Sequence, residues 1–190
     1  MLTPRTIALF CSMLLLLVFN SGCGPVNPLD DPENWVVIDQ PEKGFYALFP
    51  RQFKQGEIKT IPQETSEGPL MHYVYGQSGL AFYYSVYATK FPPSAVLSSD
   101  PEAATKNAIE DLIKEYRAEV IETHPVSRNN FPGCYVKATL PKQELGLKND
   151  NILRSMVFVR DYYLYRVTAV GLGNDKQVEI FFDSFQLKPL

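Results

Sequence analysis

Residues 152–160 and 163–170 constrain the fold of this 190-residue chain more than any other stretch, because they read as the two arms of a tight β-hairpin. Only Asp161 and Tyr162 separate the arms, and two residues is a common length for a hairpin loop. The register that follows pairs Phe158 with Tyr165, Met156 with Val167, Val157 with Arg166 and Ser155 with Thr168. One face of the hairpin is then richly apolar and the other is mixed.

An earlier pair of segments predicts a second hairpin. Leu70–Tyr75 and Leu80–Ala88 flank a glycine-bounded turn at residues 76–79. Both faces of the second arm carry apolar or aromatic residues, which indicates a central strand with something packed on each side. Further strands are predicted at Trp35–Ile38, Phe45–Phe49, residues 57–61, Val120–Thr123 and Cys134–Leu140. Pro125 is expected to end the fourth of these, and Phe131-Pro132-Gly133 to turn the chain into the fifth.

Two helices are predicted between and after these strands. The first begins at Asp100, a good N-cap that precedes Pro101. Its apolar stripe consists of Ala104, Ala108, Ile109, Leu112, Ile113 and Tyr116. In the second, Val178, Phe181, Phe182 and Phe185 follow helical spacing after Asn174 or Asp175. The order of strands, helix, strands and helix predicts an α+β fold with a mainly antiparallel sheet.

The amino terminus carries the pattern of an export signal. Arg5 is followed by the 13-residue apolar run Ile7–Phe19, which is too short to span a bilayer comfortably. Ser21 and Gly22 precede Cys23, as in a bacterial lipobox, although Asn20 stands where such boxes usually carry an aliphatic residue. We expect a signal peptide over residues 1–22 and acylation of Cys23. The alternatives are simple secretion, an uncleaved anchor, or an ordinary cysteine near a cleavage site.

The composition is consistent with a single exported domain. Residues 24–34 are rich in proline and acidic residues and predict a flexible tether, so that residues 35–190 form the domain. Without residues 1–22 the chain carries 17 basic and 21 acidic residues, a net charge of −4, which disfavours nucleic-acid binding. Cys134 is then the only other cysteine outside the leader, and a buried strand residue is a better reading of it than a nucleophile.

Four segments resemble the family of PsbP-like domains, whose superfamily includes bacterial envelope lipoproteins and a Ran-binding nuclear import factor. They are the opening Phe45-Tyr46-Ala47-Leu48-Phe49-Pro50, the turn Phe131-Pro132-Gly133, the hairpin Arg160-Asp161-Tyr162-Tyr163-Leu164-Tyr165 and the closing Phe181-Phe182-Asp183-Ser184-Phe185. The resemblance covers residues 35–190 and implies an α/β/α sandwich around an antiparallel sheet. Members generally bind rather than catalyse, and the resemblance transfers neither a catalytic residue nor a partner.

Motifs for catalysis or metal binding are absent from the sequence. His72 and His124 lack metal-ligand spacing, and residues 76–80 only approach a nucleophile elbow. Asp30-Asp31 and Asn149-Asp150-Asn151 lack the register of a calcium loop, and Asp111 with Glu115 reads as an ordinary wet helix surface. Eight tyrosines cluster in the two hairpins and either line a binding face or are covered sheet residues: Tyr73, Tyr75, Tyr83, Tyr84, Tyr87, Tyr162, Tyr163 and Tyr165.

These observations predict a non-catalytic lipoprotein of the bacterial cell envelope. Its lipid anchor would hold it at the extracytoplasmic face of a membrane, where the domain binds another envelope protein. The alternative is a carrier or sensor that holds a small apolar ligand between sheet and helix. No cofactor and no metal are expected, an enzyme is the weakest reading, and the residues that bind a partner are unknown.

Overall fold

The structure, a computed structural model, describes residues 27–51, 58–66, 68–78, 82–93, 100–141, 151–171 and 175–188. The predicted signal peptide and Cys23 lie outside these ranges. In chain order the elements are β1 (Trp35–Gln40), β2 (Phe45–Pro50), β3 (Lys59–Gln63), β4 (Leu70–Ser78), β5 (Phe82–Lys90), α1 (Pro101–Tyr116), β6 (Glu119–Arg128), β7 (Phe131–Leu140), β8 (Asn151–Arg160), β9 (Tyr163–Gly171), α2 (Asp175–Ser184) and β10 (Gln186–Leu187).

Two antiparallel sheets organise these elements. Seven strands form one sheet in the order β3-β4-β5-β9-β8-β7-β6, and β1-β2-β10 form a smaller one. Every strand pairing within the described residues is antiparallel. The predicted α+β fold with a mainly antiparallel sheet is therefore confirmed.

The hairpin of β8 and β9 has the register that the sequence predicts. Phe158 pairs with Tyr165, and Val157 pairs with Arg166. Asp161 at its turn has a positive φ of 51°, which lets two residues reverse the chain. The alternation of side chains along these two strands thus settles which residues face each side of the large sheet.

Separate apolar clusters cover the two faces of the seven-stranded sheet. On one face Phe158 packs with Phe181 of α2 and with Phe49 of the small sheet. On the other face Val157, the neighbour of Phe158 in β8, packs with Leu112 of α1. Successive residues of a strand point to opposite faces, so the two helices pack on opposite faces of the sheet.

Helix α1 begins as the sequence predicts. The Asp100 side chain accepts a hydrogen bond of 2.9 Å from the backbone N–H of Ala103, and Pro101 is the first helical residue. At the other end Arg117 adopts a left-handed conformation and its N–H reaches back to the carbonyl groups of Ile113 and Lys114.

The hairpin of β6 and β7 differs from its prediction. Pro125 lies inside β6 opposite Cys134, because β6 is an edge strand and needs no hydrogen bond from that position on its outer side. The chain reverses at Asn129 and Asn130, whose φ values are 50° and 67°, and not at the proline and glycine that follow. β7 therefore starts at Phe131, before the predicted Cys134.

The other predicted turn is also displaced. Gly76, Gln77 and Ser78 belong to β4 and pair with Ser85, Tyr84 and Tyr83 of β5. The pairing continues to Ser78 and Tyr83, and residues 79–81 lie outside the described ranges.

The segment before Trp35, which its composition predicts to be a flexible tether, contains local structure where the structure describes it. Pro28–Asp30 and Pro32–Asn34 form two short 3-10 turns. Leu29 is only 5% exposed, and the Leu29 carbonyl accepts a hydrogen bond of 3.0 Å from Nε1 of Trp35. Leu29 supplies the apolar contact that the surrounding prolines and acids lack, so these turns lie against the domain that follows.

Candidate functional site

A cleft of about 720 Å³ lies on the large sheet beside helix α1. Strands β3, β4, β5 and β9 form its floor. Helix α1 packs over β7 and β8, so it leaves the four floor strands uncovered and forms a wall of the cleft. The apolar side chains of its lining include those of Ile61, Leu70, Phe91 and Leu164. The cleft is partly open to solvent, and its lining mixes apolar with charged groups.

The wall is one stripe of α1. Asp100, Ala104, Ala108, Asp111 and Glu115 line the cleft at intervals of three or four residues. The two alanines in the middle leave room above the sheet, whereas carboxylates lie towards both ends. Asp111 and Glu115 are exposed, as the sequence predicts, but they face a cleft rather than open surface.

Arg166 of β9 is the cation in the floor of the cleft. Its Nη1 donates to Oε2 of Glu115 at 3.1 Å, and its guanidinium carbon lies 4.5 Å from the ring centre of Tyr87. Its side chain is only 17% exposed, so the charge is held between a carboxylate and an aromatic face. This contact also ties the carboxyl-terminal turn of α1 to the sheet.

His72 bridges three strands in the same floor. Its Nδ1 lies 3.0 Å from Oγ1 of Thr89 in β5, and its Nε2 lies 2.9 Å from Oε1 of Gln63 in β3. Burial lowers the pKa of His72 below its usual 6.5, and the nearby positive charge of Arg166 lowers it further. A neutral ring that donates from Nε2 and accepts at Nδ1 fits both partners.

The predicted tyrosine cluster divides between the two faces of the sheet. Tyr75, Tyr84, Tyr163 and Tyr165 are buried, as the covered-sheet alternative predicts. Tyr73, Tyr83 and Tyr87 are half-buried, whereas Tyr162 is exposed at the β8–β9 turn. Burial raises the pKa of Tyr83 and of Tyr116, which stand on the same side of the sheet as the cleft. Of the eight, only Tyr87 lines the cleft.

A smaller cleft of about 330 Å³ lies beside α2 on the opposite face. Arg154 pairs with Asp175 there, and Nη2 of Arg128 lies 3.2 Å from Oδ1 of Asp183. His124, which stacks on Tyr135 with 4.7 Å between ring centres, stands at its rim. Each arginine is matched with a carboxylate from α2, so these charges dock the helix on the sheet.

The remaining candidate residues from the sequence that the structure describes lie outside the larger cleft. Cys134 is half-buried in β7, with its sulfur 3.4 Å from Oγ1 of Thr123. Asp30 accepts a hydrogen bond of 2.9 Å from the Gln177 side chain. Asn151 is buried at the start of β8, while Asn149 and Asp150 lie outside the described ranges, as does Cys23.

The described ranges contain neither a metal-binding cluster nor a membrane-spanning helix. No three His, Cys, Asp or Glu side chains there stand close enough together to hold a metal ion. None of the helices in that part of the chain has the length and apolar character needed to cross a membrane.

The central residue of the cleft, Arg166, was not singled out from the sequence. The one signal was an arginine on the mixed face of an otherwise apolar hairpin arm. Its partner Glu115 lies 51 positions away in another element, so the pairing depends on where α1 settles on the sheet.

Comparisons with known proteins show a likeness in structure only. No family model and no curated protein matches the chain. It is similar to the solution structure of cyanobacterial PsbP (CyanoP) from Synechocystis sp. PCC 6803, with 10% identity, a TM-score of 0.49 and coverage of 88% of this chain and 98% of that one. It is also similar to the crystal structure of PA94, a protein of unknown function from Pseudomonas aeruginosa, with 12% identity, a TM-score of 0.37 and coverage of 77% and 88%.

Proposed function

We propose that this protein is an exported bacterial lipoprotein whose folded domain is a non-catalytic binding module for another envelope protein. The domain would have the α/β/α layering of PsbP-like domains, with the cleft beside α1 as its binding site. The observation that carries the proposal is the cleft itself, a groove whose floor mixes apolar and polar side chains and whose helical wall carries carboxylates. Such mixed, accessible grooves suit recognition of a protein segment.

The ionisable groups of the described residues support binding over catalysis. The pKa values that shift do so away from 7, because burial raises the pKa of Tyr83 and Tyr116 and lowers that of His72. They are therefore held in their neutral forms rather than poised to exchange protons near pH 7. Both ring nitrogens of His72 also have hydrogen-bond partners within the fold.

A carrier of a small apolar ligand is the second candidate, and the position of the cleft favours it. The cleft lies between sheet and helix, and its volume is that of many small-molecule sites. Its charged wall and open side favour a protein segment instead, since apolar ligands are usually enclosed on most of their surface.

The lipid anchor rests on Cys23 and the leader before it. Four residues lie between Cys23 and Pro28, where the first 3-10 turn begins, so five Cα–Cα steps would keep an anchored domain within about 17 Å of the membrane surface. Growing cells on an alkyne analogue of palmitate should label the wild-type protein and the Cys134→Ser variant. The Cys23→Ser variant should carry no label, and equal labelling of that variant would refute the anchor.

The binding role is tested by crosslinking in intact cells followed by identification of the captured proteins. Asn107 lines the cleft and is exposed, so Asn107→Trp should fill the groove without disturbing the core. Glu110→Trp places the same side chain on another exposed part of α1 and serves as the control. We expect Asn107→Trp to abolish capture of a specific envelope protein that Glu110→Trp retains. Unchanged capture by both variants would exclude the cleft as the binding site.

A further inference from the structure

We propose, on the basis of the binding function above, that the cleft recognises an extended peptide segment in which basic and apolar side chains alternate. The partner would present this segment from a loop or terminus. Charge, apolar lining and the length of the groove together lead to this ligand class.

Charge favours a cationic ligand. The described lining residues include three carboxylates, those of Asp100, Asp111 and Glu115, and one guanidinium, that of Arg166, which leaves a formal charge of −2 with His72 neutral. The carboxylate of Asp111 has a weak partner, since Lys114 lies 3.9 Å away and both side chains are highly exposed. An arriving lysine or arginine can therefore pair with Asp111 or Asp100.

An anionic ligand is disfavoured because the cation in the floor is already paired with a carboxylate. Arg166 donates a hydrogen bond to Glu115 and lies against Tyr87, so the charge of Glu115 offsets that of Arg166 before an anionic ligand arrives. An anionic ligand would also approach the carboxylates of Asp100 and Asp111 on the wall. The same contact holds Glu115 in place, which leaves Asp100 and Asp111 as the acids that meet the ligand.

The shape of the groove favours an extended chain. Asp100 and Glu115 mark the ends of the wall and are 15 residues apart on a helix, which corresponds to about 22 Å. About seven residues of extended chain span that distance. Alternate side chains of such a chain point in opposite directions, so one set can meet Ile61, Leu70 and Leu164 while the other reaches the carboxylates.

A pair of labelled peptides tests this assignment with the full-length protein in detergent. The probes are a fluorescein-labelled octapeptide that alternates lysine with valine, and its counterpart with glutamate at every lysine. We expect the lysine peptide to bind and the glutamate peptide not to bind, by fluorescence anisotropy. Because screening weakens contacts between exposed charges, raising NaCl from 50 to 300 mM should weaken binding of the lysine peptide.

Variants of single carboxylates identify the contact. Asp111→Asn should weaken binding of the lysine peptide about two- to fivefold, the range for an exposed ion pair. Asp100→Asn should act similarly, since asparagine preserves the helix cap. Glu110→Gln removes a carboxylate from the same helix outside the cleft and should leave binding unchanged.

The outcomes separate this inference from the proposed function. Equal or tighter binding of the glutamate peptide, or equal effects of Asp111→Asn and Glu110→Gln, would overturn the ligand class. If neither peptide binds while Asn107→Trp still abolishes capture in cells, the ligand class is wrong and the binding function stands. If the Asn107→Trp variant still captures its partner, the cleft is excluded from both.

Discussion

Two glycines in the strands of the large sheet differ in how much an added methyl group should destabilise the fold. A methyl group on Gly133 would lie 2.5 Å from the carbonyl oxygen of Val157 and would overlap the buried ring of Phe158. A methyl group on Gly76 would meet the outer end of the half-buried Tyr83 side chain, with the hydroxyl oxygen at 2.9 Å and the nearest ring carbon at 3.1 Å. We expect Gly133→Ala to lower the free energy of unfolding by about 2 kcal/mol and Gly76→Ala by less than about 1 kcal/mol. Urea denaturation measures both, and equal midpoints would contradict the difference.

The ionisation of His72 can be predicted at the same scale. Its lowered pKa means that the folded state binds a proton less readily than the unfolded state, so His72 contributes stability that is lost as pH falls below about 6.5. An NMR titration should give a midpoint for His72 below 6.5. Arg166→Gln removes one cause of the shift and should raise that midpoint, whereas Arg128→Gln, at the other cleft, should leave it unchanged.

At the scale of elements, the β6–β7 turn connects the large sheet to the small one. Asn129 and Asn130 are both left-handed, and Oδ1 of Asn129 accepts a hydrogen bond of 3.1 Å from the backbone N–H of Leu187 in β10. Asn129→Gly keeps the turn but loses this bond, so the free energy of unfolding should fall by about 1 kcal/mol. Asn130→Gly, with no such bond, should be neutral or slightly stabilising because glycine suits this turn. Thermal unfolding of both variants measures these changes. An equal loss of stability in the two variants would mean that the hydrogen bond to Leu187 contributes nothing beyond the turn geometry.

The same hairpin explains which elements a sequence can predict. The β8–β9 register followed from local alternation and a two-residue turn, and it is confirmed pair by pair. The β6–β7 turn was misplaced because Pro132 and Gly133 are stronger turn formers than two asparagines. Pro125 predicts the end of a strand, but proline is tolerated inside β6 because that strand is an edge, and only the sheet order reveals this.

At the scale of the whole molecule, the cleft escapes prediction because it is the part of the sheet that α1 leaves uncovered. Of the residues of α1 that line it, only Ala104 and Ala108 belong to the predicted apolar stripe, and the alternation of β9 places Arg166 on the mixed face. Neither pattern states that the helix lies over β7 and β8 rather than over β4 and β5. The site depends on long-range packing, whereas the strands and helices that build it depend mainly on local pattern.

The amino-terminal boundary of the domain is a second property of the whole molecule. Leu29 is buried although composition assigns it to a tether, and the Gln177 side chain of α2 donates to Asp30 beside it. If these turns belong to the cooperative fold, Leu29→Ala should lower the free energy of unfolding by about 2–3 kcal/mol, as for other buried leucines. Val37→Ala, at a side chain that is 52% exposed, should cost much less and serves as the control. Urea denaturation followed by tryptophan fluorescence is suited to this test, because the Trp35 indole donates to the Leu29 carbonyl. A cost of Leu29→Ala no larger than that of Val37→Ala would return residues 28–34 to the role of a tether and place the start of the domain at Trp35.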